Sequence, residues 1–138
     1  MKTNIHFAAA ILFLMYANAH GAQLVSGEVL TVDEPVSDAT KLEFSDDNKL
    51  DPKIGDFEII SSLIMSSSSG ERWATVTIKN STSHQRILDG DHIVAIFANG
   101  DRRNPVSLKQ SFSELEEITL TLNFGKHKFP ILRLLTRD

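Results

Sequence analysis

The chain has 138 residues, with 14 Lys and Arg against 18 Asp and Glu, and no cysteine. That length provides one small domain with a real core, and the acidic balance excludes the basic excess expected of a nucleic-acid binder. The missing cysteines exclude disulfides, thiolate metal sites and cysteine nucleophiles, so packing alone must hold the fold.

The chain opens with Met1 and Lys2, runs almost without polar interruption from Ile5 to Tyr16, and then reads Ala17-Asn18-Ala19. A basic start, a short apolar stretch and a small-x-small end are what export machinery cleaves. About twelve apolar residues are too few for a bilayer core, which needs about 20 in a helix. Residues 1–19 are therefore expected to be a signal peptide, cut after Ala19, or after Ala22 as a second choice. No later run is long and apolar enough to span a membrane. Export without disulfides fits a bacterial periplasm or exterior.

From there the pattern has period two. Leu24–Val32 and Lys41–Phe44 are weak strand candidates, and Phe57–Met65 is a stronger one. In Arg72–Lys79, Ala74, Val76 and Ile78 alternate with Trp73, Thr75 and Thr77, which suits a half-buried strand. Asn80-Ser81-Thr82 is formally a glycosylation sequon but falls where a strand should turn, and it reads as turn chemistry. His92–Ala98 has apolar residues on both faces, so it reads as a central strand covered on both sides. Asn99-Gly100 after it suggests a type I′ hairpin into a short partner reaching Leu108. Ser113 and Glu116 have capping-box spacing for one helical turn. Ile118, Leu120, Leu122 and Phe124 then alternate with polar residues, and Phe129–Thr136 is a last strand candidate. About seven strands, regular turns and no long amphipathic helix predict an all-β fold, an immunoglobulin-like two-sheet antiparallel β-sandwich over residues 20–138. A small barrel is the second choice.

The run Trp73 to Thr82, then Ile87-Leu88-Asp89-Gly90, Ala95 to Gly100, Asn104-Pro105, Glu117 to Leu122 and Phe124-Gly125 together resemble an uncharacterised family of small exported Ig-like β-sandwich proteins of Gram-negative bacteria. The resemblance covers roughly residues 55–138. It implies a fold and a compartment, and it supplies no catalytic residues.

Candidate chemistry is sparse. Asp89, Asp91 and His92 could offer oxygen and nitrogen ligands to zinc or copper, and His20 would add a free amine after cleavage. No His-x-x-x-His pair accompanies them, and a polar loop explains the same residues. Asp46-x-Asn48 begins like a calcium loop but lacks its glycine and distal glutamate. Glu114, Glu116 and Glu117 are neighbours on one segment, unlike carboxylates set across a cleft. No nucleophile motif occurs. The expectation is therefore a non-enzymatic module with no cofactor, bound through loops or an edge strand to a protein or glycan partner of unknown identity. A periplasmic metal-binding protein and a small hydrolase are the alternatives.

Charge suggests where such a partner would sit. Residues 20–69 carry ten acidic and three basic side chains, and residues 70–138 carry eight and ten. Arg102 and Arg103 follow one expected turn, and Lys126 and Lys128 follow another. At one end of a sandwich they would make a basic patch. Trp73 is expected to pack into the core at a strand start, with an exposed aromatic anchor as the other possibility.

Overall fold

The computed structural model describes residues 28–45 and 49–138. The expected signal peptide, His20, the first residues of the Leu24–Val32 candidate and the Asp46–Asn48 loop lie outside the described residues. Nine strands are arranged in chain order: β1 (Leu30–Val32), β2 (Phe57–Ser67), β3 (Glu71–Asn80), β4 (Arg86–Asp89), β5 (Val94–Phe97), β6 (Arg102–Arg103), β7 (Lys109–Phe112), β8 (Glu117–Lys126) and β9 (Ile131–Leu135). Among the described residues the sole helical element is a 3-10 turn, Gly90–His92, and no helix is long and apolar enough to cross a membrane.

The strands form antiparallel sheets. One has the order β1-β2-β3-β8, another β6-β5-β9, and β4 pairs with β7 alone. Alternation decides which side chains go inward. Ala74, Val76 and Ile78 of β3 lie opposite Leu122, Leu120 and Ile118 of β8 on the same face. They share one apolar cluster with Phe97 of β5, Ile131 of β9, Leu88 of β4 and Phe112 of β7. The core is thus supplied by all three sheets. Each fully buried Ile, Leu or Phe contributes about 1.5–3 kcal/mol of transfer free energy.

Strand β5 is buried along its whole length, as the two apolar faces of its sequence require. Ile93, Ala95 and Phe97 enter the common core. Val94 and Ile96 alternate to the opposite side, where the chain at residues 49–54 runs. Lys53 N–H donates to Asp91 O at 2.8 Å, and Arg102, facing Ile96 in the ladder, reaches Leu50 O at 3.2 Å.

Three local expectations need correction. The β5–β6 hairpin forms, but not through a type I′ turn. Among the described residues the sole non-glycine with positive φ is Leu115, so Asn99 is not left-handed, whereas Gly100 has φ +89°. Gly100 N–H donates to Phe97 O (2.9 Å) and Phe97 N–H to Asp101 O (2.9 Å), a type I turn closed by a glycine bulge. Ser113–Glu116 is a turn, not a helix: Ser113 N–H donates to Glu116 Oε2 at 2.6 Å. Lys41–Phe44 alternates in exposure but pairs with no strand. The preceding chain is held instead by Arg133, whose Nη2 donates to the carbonyls of Asp38 (3.2 Å) and Thr40 (2.9 Å).

Asn80 does serve as turn chemistry. It is fully buried. Its Nδ2 donates to His84 O (2.7 Å) and Ser113 O (2.8 Å), and its Oδ1 accepts from Thr82 N–H (3.1 Å) and Thr82 Oγ1 (2.9 Å). The amide that a glycan would need is spent tying two loops together.

Candidate functional site

Two of the predicted basic segments meet at one end of the molecule. The β2–β3 turn at Ser68–Gly70 adjoins the β8–β9 connection at Lys126–Lys128, and the β5–β6 turn adjoins the same connection from the other side. One hollow is lined by Ser68, Ser69, Gly70 and Arg72, and a second by Asn99, Asp101, Arg103 and Phe129. Lys126, His127 and Lys128 line both. Four cations from separate elements thus converge: Arg72, Arg103, Lys126 and Lys128.

Local chain geometry makes this convergence. Strand β8 carries one residue too many against β3: Glu71 faces Lys126 while Trp73 faces Asn123. Gly125 takes up the bulge with φ +77°, and its N–H donates to Asn123 Oδ1 at 2.6 Å. A glycine there permits the left-handed step that re-aims Lys126, His127 and Lys128.

His127 is the hub. Its side chain is only 6% exposed, and its Nε2 lies 2.8 Å from Asp101 Oδ2. Its Nδ1 lies 3.1 Å from both the amide nitrogen and the carbonyl oxygen of Phe129, and a proton on Nε2 would be donated to the Asp101 carboxylate. The ring packs on Phe97 with centroids 3.9 Å apart. Hydrogen bonding with the Asn99 side chain, then with His127, holds the Asp101 carboxyl below its ordinary value.

The arginines are anchored to this hub by carbonyls. Arg72 Nε donates to His127 O (3.0 Å) and its Nη2 to Lys128 O (3.2 Å). Arg103 Nη1 donates to Lys126 O (3.1 Å), and its guanidinium sits 5.7 Å from the centre of the Phe97 ring. Neither arginine makes an ion pair among the described residues, although Arg103 and the Asp101 carboxylate line the same hollow and attract each other. Lys126 and Lys128 are exposed and take part in no ion pair among the described residues.

Arg102 does not join this group. Adjacent residues of a strand point to opposite faces, and Arg102 turns away from Arg103 to Asp51 Oδ1 at 3.0 Å, with its side chain 16% exposed. Trp73 does not enter the core. It is half-buried on the outer face of the four-stranded sheet, between Met65 and Asn123, and its Nε1 donates to Glu71 Oε2 at 3.3 Å. Glu71 in turn faces Lys126, so the indole borders the basic end.

The other candidates are used in local structure. Asp89 caps the 3-10 turn by accepting Asp91 N–H at 3.2 Å. His92 Nδ1 lies 3.1 Å from the Asp89 amide nitrogen and 2.9 Å from Asp89 Oδ1. As a bare nitrogen it closes the capping box; only when protonated would it serve the carboxylate. Asp91 is exposed, and among the described residues no three His, Asp or Glu side chains gather as a metal would need. Of the carboxylates near 114–117, Glu116 closes its turn and Glu117 lies 3.9 Å from Lys79.

Compared with family models, with curated proteins and with solved structures, the chain gives no match.

Proposed function

We propose that this protein is an exported, non-enzymatic recognition module of immunoglobulin-like two-sheet architecture, and that its basic end holds the carboxylates of a protein or glycan partner. The observation behind this reading is the convergence of Arg72, Arg103, Lys126 and Lys128 on the His127 hub, with both lysine ammoniums open to solvent. Arginines braced by backbone carbonyls present a fixed field, and the lysines add mobile charge that a carboxylate can meet without displacing an internal acid. Trp73 offers a flat apolar surface beside them. Asp89, His92 and Glu116, which an acid–base or metal reading would call on, are engaged in caps and turns, which favours binding over turnover. The signal-like N-terminus and the resemblance over residues 55–138 support the compartment and the sandwich topology.

The test is a titration of a glutamate-rich peptide and of a uronic-acid oligosaccharide against the mature chain, by calorimetry at low and at roughly physiological salt. Lys126→Glu with Lys128→Glu should weaken capture of whichever ligand binds by at least about tenfold, and the wild-type affinity should fall with salt. Equal binding by the double variant, or no binding of either ligand at low salt, overturns the reading.

A further inference from the structure

Strand β1 ends for a readable reason. Val32 faces Met65, and the next backbone bond runs from Asp33 N–H to Ile64 O at 2.9 Å. Continuing this register sets Pro35 opposite Ser62. Proline has no N–H to give, so the chain departs and Ser62 is left on an edge to which no described strand pairs. Strand β9 is also an edge strand of its sheet. Between the two edges lies a cleft of about 510 Å³, lined by Ile59–Ile64, by Leu132–Leu134 and by Val32, Asp33, Pro35, Val36 and Asp38. It shares no lining residue with the basic end.

This edge carries only part of the usual protection, a bulge at Ile60 and the adjoining chain around Val32 to Asp38. Natural edges are guarded by lysine, proline or inward charge, yet Ile59 to Ser69 contains no charged residue and no proline. A bulge at Ile60, between Ile59 and Ser61, interrupts its upper part, and Ser61–Ile64 runs on regularly. Such an uncharged, proline-free run, left open, invites pairing.

We infer that this cleft is a strand-acceptor site for an extended segment of another polypeptide. The guest gives Ser62 the backbone N–H that Pro35 cannot, and it accepts the Ser62 N–H in return. It engages about four or five residues, on the order of 15 Å of strand. Alternate apolar side chains of the guest meet Ile59, Ile64 and Leu134, and a lysine or arginine sits at the end marked by Asp33 and Asp38. Arg133 also lines the cleft, but its guanidinium is directed to the carbonyls of Asp38 and Thr40 and makes no ion pair with either acid among the described residues. The cleft is bounded on its far side by β9 and at one end by the chain around Asp33 to Asp38.

The experiment uses a nine-residue peptide alternating valine with threonine and carrying one lysine, titrated into the protein and followed by amide NMR. The amides of Ser61–Leu63 and Leu132–Leu134 should shift, and Ser62 should become protected from exchange. N-methylation of alternate peptide bonds should weaken binding at least tenfold. Ser62→Pro removes an N–H that faces the vacant edge, not the β3 ladder; it should do the same with an unchanged circular dichroism spectrum. If that variant fails to fold, the N-methylated peptide still decides. Asp38→Lys should weaken the lysine peptide several-fold and favour its glutamate counterpart. Lys126→Glu with Lys128→Glu should leave binding unchanged, which separates this site from the basic end. No shift at millimolar peptide, equal binding of the N-methylated peptide, loss of binding in the lysine variant, or a dimer protecting these amides without peptide would each overturn the inference.

Discussion

Replacing Asn80 with aspartate exchanges an NH₂ group for an oxygen at a fully buried site. Both Nδ2 donors are lost, and the new carboxyl oxygen faces His84 O and Ser113 O, 2.7 and 2.8 Å from the original nitrogen. While the new carboxyl is protonated it can donate one bond, so the loss is that of one buried hydrogen bond, about 1 kcal/mol. Once it ionises it can donate none, so its folded-state pKa must rise above the unfolded value of about 3.9. The unfolded chain therefore releases the proton first, and stability relative to wild type falls by about 1.4 kcal/mol per pH unit above that value until the folded group also ionises. The expected penalty is about 1 kcal/mol at pH ~4 and about 3–5 kcal/mol at pH ~7, the range for an uncompensated buried charge. Urea unfolding of both proteins across this pH range, read by circular dichroism, measures it. Asn80→Ala, which introduces no charge, should cost about 2–3 kcal/mol at both pH values. A penalty for the aspartate variant below about 1 kcal/mol at neutral pH, or one that does not change with pH, refutes the reasoning.

Two further outcomes test other parts of the fold. Gly100→Ala places a Cβ 2.9 Å from Phe44 Cγ at φ +89° and should cost about 1–3 kcal/mol in urea unfolding; in a Phe44→Ala background only the backbone cost of about 1–2 kcal/mol should remain. Glu28 accepts from Ser68 Oγ, Ser69 N–H and Ser69 Oγ, and these bonds, the serine hydroxyls first, lower its pKa from 4.5 to about 2. Its hold on the β2–β3 turn is therefore complete above about pH 4.5 and fades as the pH falls through about 2. Glu28→Gln should lower the hydrogen-exchange protection of Leu30–Val32 at neutral pH, and unchanged protection would show that the contact does not restrain β1.

The part of the fold that could be read from the residues was the part governed by alternation. Ile118–Phe124 and Arg72–Lys79 became paired neighbours because each has one apolar face, and β5 became a doubly covered strand because it has two. The same rule carried one step further would have parted Arg102 from Arg103, since consecutive strand residues cannot share a face. Trp73 sat out of phase with Ala74, Val76 and Ile78, and the sheet kept it out of phase; core packing would have required a bulge within β3 that the strand does not have. Lys41–Phe44 alternates without pairing, since a strand needs a neighbouring edge and no local pattern says whether one is free. The two short strands β4 and β7 were hidden for a similar reason: four residues give too few repeats to establish a period. Arg72, His127 and the Glu28 contact were invisible because each joins residues distant in the chain. Pro35 was legible as a turn signal, but its meaning appeared only when the β1–β2 register set it against Ser62.

The hold of Arg133 on the carbonyl of Thr40, 93 residues away along the chain, has a kinetic consequence. The β2–β3 hairpin closes a short loop and can form early, whereas the segment at Asp38–Thr40 gains its Arg133 anchor only when β9 has taken its place against β5. Until then the uncharged edge of β2 is more open than in the finished protein, so the interval between hairpin formation and β9 docking is the period of greatest exposure to misassembly. Slowing that docking, by any change in β9 that spares the hairpin, should therefore lower refolding yield more steeply with protein concentration than an equally destabilising change within β3.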